Sequence, residues 1–405
     1  MKKKSKPKPS PQEKHKIREA AIIKGIKEVS KLLSKHPSEI TKNDIIKNCD
    51  NISSWDIREL GRFDAFKKAH FPITNKDLVT IRETVETNKY INHLEKIVGE
   101  QELFFRNMQK AVSAAVESIK LETVSVAKKV AVDKTKPLMT MEALISDIHY
   151  GKKTATFNLD VCRKRMKQFA TVFLQEYEAN KKSFNVHRFI LAMLGDVIES
   201  YTMHGRESAL GCEFGNEGQI EASIRSLFHD LILPIAKTGV AIDVPCIPGN
   251  HDRYDYKKNY IEMGRNHATW VIYNALQMLC EASGLDNVKW YITEGSYVVL
   301  PVYNNNVLYE HGDEANANTK NAFEAILNNR SQQEGVMLHF ARFGHWHEYS
   351  CFERGRIIVN DSVCGQDGYA QQKGFASQSG QTINYYVETS SRPDCFYHSF
   401  PVYLA

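Results

Sequence analysis

A small all-α module followed by a larger α/β domain is the fold class this sequence predicts. Three observations carry that reading. Apolar residues recur at helical spacing up to about residue 125, a charged stretch with a proline ("VAKKVAVDKTKPLMT") then interrupts the chain, and from Met139 onward short apolar runs alternate with helical segments. With 405 residues and 42% hydrophobic content, the chain has material for a sizeable core and more than one domain.

Residues 1–12 form a basic tail. The opening "MKKKSKPKPSPQEKHK" continues into proline and charge rather than an apolar run, and nothing approaches the ~18 apolar residues of a membrane span. A cytoplasmic protein with no membrane partner is expected. The eight cysteines lie far apart without a CxxC pair, which excludes a zinc ribbon or disulfide scaffold and fits a reducing compartment. The net charge of +5 is concentrated in the first 75 residues, leaving the rest mildly acidic. Such a basic head suits a polyanion, although a solvated tail is the plainer reading of residues 1–12 alone.

Residues 13–75 read as a helical module. "KIREAAIIKGIKEVSKLLSKH" spaces Ala21, Ile22, Ile26, Val29, Leu32 and Leu33 along one helix face, Thr41 opens a second helix, and Gly61 begins a turn before "RFDAFKKA". The stretch "SSWDIRELGRFDAFKKA" resembles the helix-turn-helix repeat found beside homing endonuclease domains, which implies DNA binding; a bundle that only packs on a partner is the alternative. Residues 76–137 read as helical connector and linker. Ile91, Leu94 and Val98, then Phe105, Met108, Val112, Val116 and Ile119, follow three- and four-residue steps on either side of Gly99. This is either a connector folded on the body or a short coiled coil that makes a homo-oligomer.

Residues 138–405 form the α/β domain. Strands are expected at "TMEALIS", "RFILAML", "VAIDVPCI", "YVVLPVYN", "NVLYE", "LHFARFG" and "RIIVND", with helices at 158–180, 217–237 and 260–283. Five of these runs end in groups that bear chemistry. They lead into Asp147-Ile148-His149, Gly195-Asp196, Gly249-Asn250-His251-Asp252, His311-Gly312-Asp313 and Gly344-His345-Trp346-His347. Open α/β sheets gather ligands at their carboxyl edge. Carboxylates and neutral imidazoles suit borderline divalent metals, and a shared carboxylate can bridge two ions. In DxH and HxH, two ligands one residue apart share a side of an extended segment and can converge. His187, His229, His267, His339 and His398 are read as ordinary packed or surface histidines.

DxH, GD, GNHD, a later His and GHxH, in this order, resemble the calcineurin-like metallophosphoesterases over residues 139–365. The resemblance implies a two-sheet sandwich flanked by helices with a two-metal site at one edge. It implies that Asp147, His149 and His347 hold one metal, Asn250, His311 and His345 the other, and that Asp196 bridges them. Mn is the leading expectation, with Fe, Zn or Ni as alternatives. His251 would contact the phosphate and help the leaving group depart, Asp252 would orient the His251 ring, and a hydroxide shared by the ions would attack phosphorus.

The segment after Asp196 offers His204 and Arg206 to a phosphate, or is a solvated loop; "CGQDGYAQQKGFASQSGQT" is either a flap over the cleft or a long connection. The organisation resembles phage-encoded metallophosphoesterases regarded as nucleases, which would act in host cytoplasm. A DNA exonuclease or endonuclease is therefore the leading expectation. The alternatives are a phosphatase or phosphodiesterase for nucleotides, cyclic nucleotides or phosphoproteins, and a non-catalytic DNA-binding or assembly protein.

Overall fold

A computed structural model describes residues 10–59, 63–71, single positions and short pieces between 89 and 114, 124–127, 132–203, 206–254, 264–365, 378–388 and 394–405. The chain separates into two compact units, Met1–Leu103 and Phe104–Ala405.

The first unit contains α1 (Pro11–Leu32), a 3-10 turn (Pro37–Glu39), α2 (Lys42–Asn48), α3 (Ser54–Glu59) and α4 (Phe63–His70). Capping boxes start α1 at Ser10 and α2 at Thr41, each satisfying end N–H groups that no helical carbonyl can reach. Ile22, Ile26, Val29, Ile40, Ile45, Ile52, Ile57 and Phe63 form its core. Ala21 and Leu32, expected on the buried face of α1, are exposed; the face turns through Ile22, Gly25, Ile26 and Val29 instead. A Cβ on Gly25 would lie 2.5 Å from the end of the Ile52 side chain, which would have to move aside. Gly61 and most of the 76–125 seam, including Leu94, Val98, Phe105, Met108, Val116 and Ile119, lie outside the described residues.

The second unit is built on two sheets. The strands are β1 (Leu138–Ile145), β2 (Asn185–Met193), β3 (Ala241–Cys246), β4 (Val288–Ile292), β5 (Tyr297–Val302), β6 (Asn305–Glu310), β7 (Phe340–Phe343), β8 (Ser350–Phe352), β9 (Ile357–Val359), β10 (Gly380–Val387) and β11 (Phe396–Tyr403). One sheet has the order β11-β10-β1-β2-β3-β4 and the other β5-β6-β7-β9-β8. β1, β2, β3 and β4 run parallel, as do β6, β7 and β9, so the strand ends that carry the expected ligands point the same way within each sheet.

The helices of this unit are α5 (Leu159–Asn180), the short α6 (Arg206–Leu210), α7, α8 (Ala268–Ala282) and α9 (Lys320–Glu334). α7 runs from Asn216–Ser226 through a π-helical segment, Leu227–Ile232, to Leu233–Ala236. Pro234 lacks the N–H that a regular helix would place on Asp230, and the wider segment accommodates that loss.

Alternation decides which face each strand residue covers. Met139, Met141, Ala143 and Ile145 of β1 and Phe189, Leu191 and Met193 of β2 face α5, α7 and α8. Leu144, Ile190 and Ala192 face the second sheet, where they meet Leu300, Val302, Val307 and Tyr309. The outer face of the second sheet packs on Phe323, Ile326 and Leu327 of α9. The result is helices, sheet, sheet, helix.

A charged cluster lies between the sheets. Glu142 and Arg342 are fully buried at 2.9 Å, and Tyr309, Tyr386 and Asn384 also hydrogen-bond the Glu142 carboxylate. Val112, Val124 and Val126 pack on the large core. All eight cysteines are free thiols, and no helix among the described residues is long and apolar enough to cross a membrane.

Candidate metal centre

The five chemistry-bearing groups meet at the carboxyl edge of β1, β2, β3, β6 and β7. Close backbone approach makes this possible. A Cβ on Gly249 would fall 2.2 Å from both the N and Oδ1 of Asp196, and one on Gly344 would fall 2.7 Å from Asp147 Oδ2. Glycine at these two positions lets neighbouring loops touch.

Asp147, His149, Asp196, His345 and His347 all have positive φ, between 50° and 71°. The DxH and HxH pairs therefore do not converge through the alternation of an extended strand, as their spacing predicts. Left-handed turns at the strand ends aim them. Asp147 N–H donates to the Gly195 carbonyl (3.1 Å) and His149 N–H to the Asp196 carbonyl (3.1 Å), which ties the first turn to the second.

Side-chain donors fall into overlapping groups: Asp147, His149 and Asp196; Asp196, His311 and His345; His149, Glu199 and His251; and His149, His347 and Cys364. Asp196 belongs to both of the first two. Asn250 Oδ1 lies 3.1 Å from His311 Nε2, His347 Nε2 lies 3.2 Å from Asp147 Oδ1, and the Nε2 atoms of His149 and His347 are 3.2 Å apart. All seven expected ligands are thus assembled at one edge.

The arrangement fits cations. His311 Nδ1 lies 2.7 Å from the Leu194 carbonyl and so carries a proton. In a neutral ring Nε2 then turns a lone pair toward Asn250 Oδ1 and Asp196 Oδ2, at 3.1 and 3.2 Å. Three acceptors facing one another need a positive charge among them. The ring's own pKa says the same: burial lowers it, but the Asp196 carboxylate prevails and pushes it up to about 10. Burial opposes ionisation of Asp147 as well, yet the His347 ring holds it below the usual range, and His311 and His251 hold Asp196 far below it. Burial takes His149 and His345 down to about 4, so both are neutral donors near pH 7.

His251 sits at the rim. Its Nδ1 lies 2.9 Å from the Glu199 carbonyl, and its N–H donates to Asp196 Oδ1 at 2.7 Å. Asp252, expected to orient this ring, is held by the backbone of the two loops. The buried Asp252 carboxylate accepts the backbone N–H groups of Asp196 (2.8 Å), Gly249 (2.8 Å), Val197 (3.0 Å) and Ile198 (3.2 Å), so it binds the two loops together. Burial and the Asp196 carboxylate push its pKa up to about 7 against those donors.

The acid beside the ring is Glu199, which sequence reasoning missed although it stands three residues after Asp196. Its Oε2 lies 2.8 Å from His149 Nδ1, 3.5 Å from Lys152 Nζ and 3.8 Å from His251 Nδ1. Cys364 also escaped notice. His204 lies outside the described residues; Arg206 begins α6, and its side chain is outside them too. His187 meets Tyr303 and His339 accepts from Asn306 N–H, in keeping with ordinary packing.

Two sheets, flanking helices and this donor edge together decide the architecture. This is a two-sheet sandwich flanked by helices, the architecture that the motif resemblance implied. No family and no curated protein matches the chain. Among solved structures, a predicted phosphoesterase from Streptococcus pneumoniae is similar at 12% identity, over 65% of this chain and 98% of its own, with a TM-score of 0.27. Vps29 from Entamoeba histolytica, crystallised with Zn2+, is similar at 11% identity over 65% and 99%, with a TM-score of 0.27. A protein of unknown function from Aquifex aeolicus gives 14% identity over 55% and 89%, with a TM-score of 0.24. Likenesses this distant carry no argument about activity; the side chains at the edge of the fold must supply it.

Proposed function

We propose that this chain is a dinuclear-metal phosphoesterase that hydrolyses phosphodiester bonds, with DNA as its substrate. The observation that carries the reading is Asp196, a buried carboxylate common to two donor groups. Asp147, His149 and His347 would hold one ion, Asn250, His311 and His345 the other, and Asp196 both. Two divalent ions there, Mn in the first instance, would supply Lewis acidity toward phosphoryl oxygens and acidify a water.

The rest falls to the chain's own groups. With its Nδ1 proton on the Glu199 carbonyl, the His251 ring keeps Nε2 as the nitrogen that, protonated, would donate to the departing oxygen. The His251 N–H on Asp196 Oδ1 keeps that ring in register with the shared carboxylate. Ile148, Val197 and Ile198, which neighbour the ligands in sequence, are buried in the core. DNA is favoured by the basic first unit, where Lys24, Lys27, Lys31, Lys35, Lys42, Lys47 and Lys68 are exposed.

The test is hydrolysis of bis-p-nitrophenyl phosphate, p-nitrophenyl phosphate, and labelled single- and double-stranded DNA with Mn2+, Zn2+, Fe2+ or Ni2+. DNA cleavage is expected from the wild type and not from Asp196→Ala, and His251→Ala is expected to lose roughly 100- to 10,000-fold in turnover. A Lys24→Glu, Lys27→Glu, Lys31→Glu variant should bind DNA more weakly and with a shallower salt dependence. Hydrolysis of small esters alone would transfer the reading to a small-molecule phosphatase, and no hydrolysis with any metal would refute it.

A further inference from the structure

We propose that Cys364 is an additional, thiolate donor at the Asp147, His149 and His347 position, which makes that position selective for a softer cation than its neighbour. The inference rests on the dinuclear reading and adds to it a residue outside the DxH, GD, GNHD, H and GHxH series. The Cys364 thiol lies within 4.8 Å of donor nitrogens of both His149 and His347. It is buried, and its own contacts are weak: Ser362 Oγ and the Gly365 carbonyl, each at 3.6 Å.

The turn that carries it is built against the site. Val363 N–H donates to the Asp147 carbonyl (3.1 Å), so the turn is joined to the backbone of the first ligand. Gly365 N–H donates to Ser362 Oγ (3.1 Å), and φ of Gly365 is +70°, which closes the turn in a conformation glycine adopts without strain. The Arg165 guanidinium donates to the carbonyls of Val363 (2.8 Å) and Cys364 (3.2 Å) and so holds the turn in place. The thiolate is the form that ligates, so an ion bound there would displace the thiol proton.

Chemistry then separates the two positions. Asn250, His311 and His345 offer oxygen and nitrogen, which suit Mn2+. Adding sulfur to Asp147, His149 and His347 shifts preference toward Zn2+, Co2+ or Fe2+. On binding, the S–H bond breaks, a metal–sulfur bond forms, and the proton leaves to the buffer.

The experiment uses the full chain, stripped with a chelator and titrated with Co2+. Visible ligand-field bands report that the ion binds at all. A near-ultraviolet sulfur-to-cobalt charge-transfer band reports the thiolate, and it is expected in the wild type and in Cys351→Ser but not in Cys364→Ser. Zn2+ affinity should fall about tenfold or more in Cys364→Ser, with one proton fewer released, while Mn2+ affinity changes far less. Ligand-field bands without the charge-transfer band in the wild type would overturn the role of Cys364 and leave the dinuclear reading intact. A band that persists in Cys364→Ser would overturn it likewise, and no Co2+ binding at all would overturn both.

Discussion

Replacing Asp252 separates two accounts of this residue. If it orients the His251 ring, Asp252→Ala damages turnover and leaves stability alone. The structure gives it a different role, because its buried carboxylate accepts four backbone N–H groups, from Asp196, Val197, Ile198 and Gly249. Alanine leaves all four donors without an acceptor in a place water reaches poorly. An unsatisfied buried group costs about 1 kcal/mol at the low end, so the four together cost roughly 4 kcal/mol. His251→Ala removes a partly exposed ring whose Nδ1 bonds the Glu199 carbonyl and should cost about 1 kcal/mol. The assay is urea unfolding of the chelator-treated proteins, since a bound ion would stabilise the native state by mass action and blur the comparison. The fluorescence of Trp270, Trp290 and Trp346 reports the second unit. Asp252→Ala should unfold at clearly lower urea than His251→Ala. Equal midpoints for Asp252→Ala and the wild type, together with a displaced titration of the His251 ring by NMR, would refute the loop-binding role and restore the orienting one.

Two further outcomes follow from buried charge. Glu199→Gln should weaken divalent metal binding by about 10- to 100-fold in calorimetric titration, because the carboxylate 2.8 Å from His149 Nδ1 holds that ring's proton away from the site; unchanged affinity would show that the ring needs no such partner. Glu142→Ala should destabilise the second unit by about 3–5 kcal/mol by leaving Arg342 charged and unpaired between the sheets, whereas Glu142→Leu with Arg342→Met should recover most of that loss in urea unfolding; equal costs for the single and double variants would refute the pairing argument.

What the sequence made legible was whatever carried an apolar run or a motif. β1, β2, β3, β5, β6, β7 and β9 coincide with the expected apolar runs, and α5 and α7 with the expected helices; α8 begins at Ala268, later than the expected 260. The unread elements hide for physical reasons. All eight residues of β10 are buried, yet Gln381, Thr382 and Asn384 make it look like a polar loop. Their partners are distant in sequence: Gln381 bonds Ser146 and the Asp361 carbonyl, and Asn384 bonds Glu142. β11 carries Pro401 and exposed tyrosines on a sheet edge, and α9 buries only Phe323, Ile326 and Leu327. The metal donors were readable because they form short motifs. Glu199 and Cys364 were not, since a loop acid and an isolated cysteine acquire meaning only when folding brings His149 beside them.

Strain at the site bears on whether the fold works as an enzyme or only as a scaffold. Asp147, His149, Asp196, His345 and His347 occupy left-handed backbone that disfavours residues with a Cβ. At about 1 kcal/mol each, five such residues cost roughly 5 kcal/mol, a large share of what a domain has. Glycine would relieve that cost at every one of these positions, and a surface used only for assembly would work as well with it. Removing those five side chains would empty the first donor group and leave only Asn250 and His311 in the second. Ions bound to the native state offset it by mass action, since they stabilise only the conformation in which the turns are closed. The same geometry that makes the edge expensive is what aims Asp147, His149 and His347 into one donor group and His345 into the other, and the proposed phosphoesterase accounts for this coupling of strain to ligation.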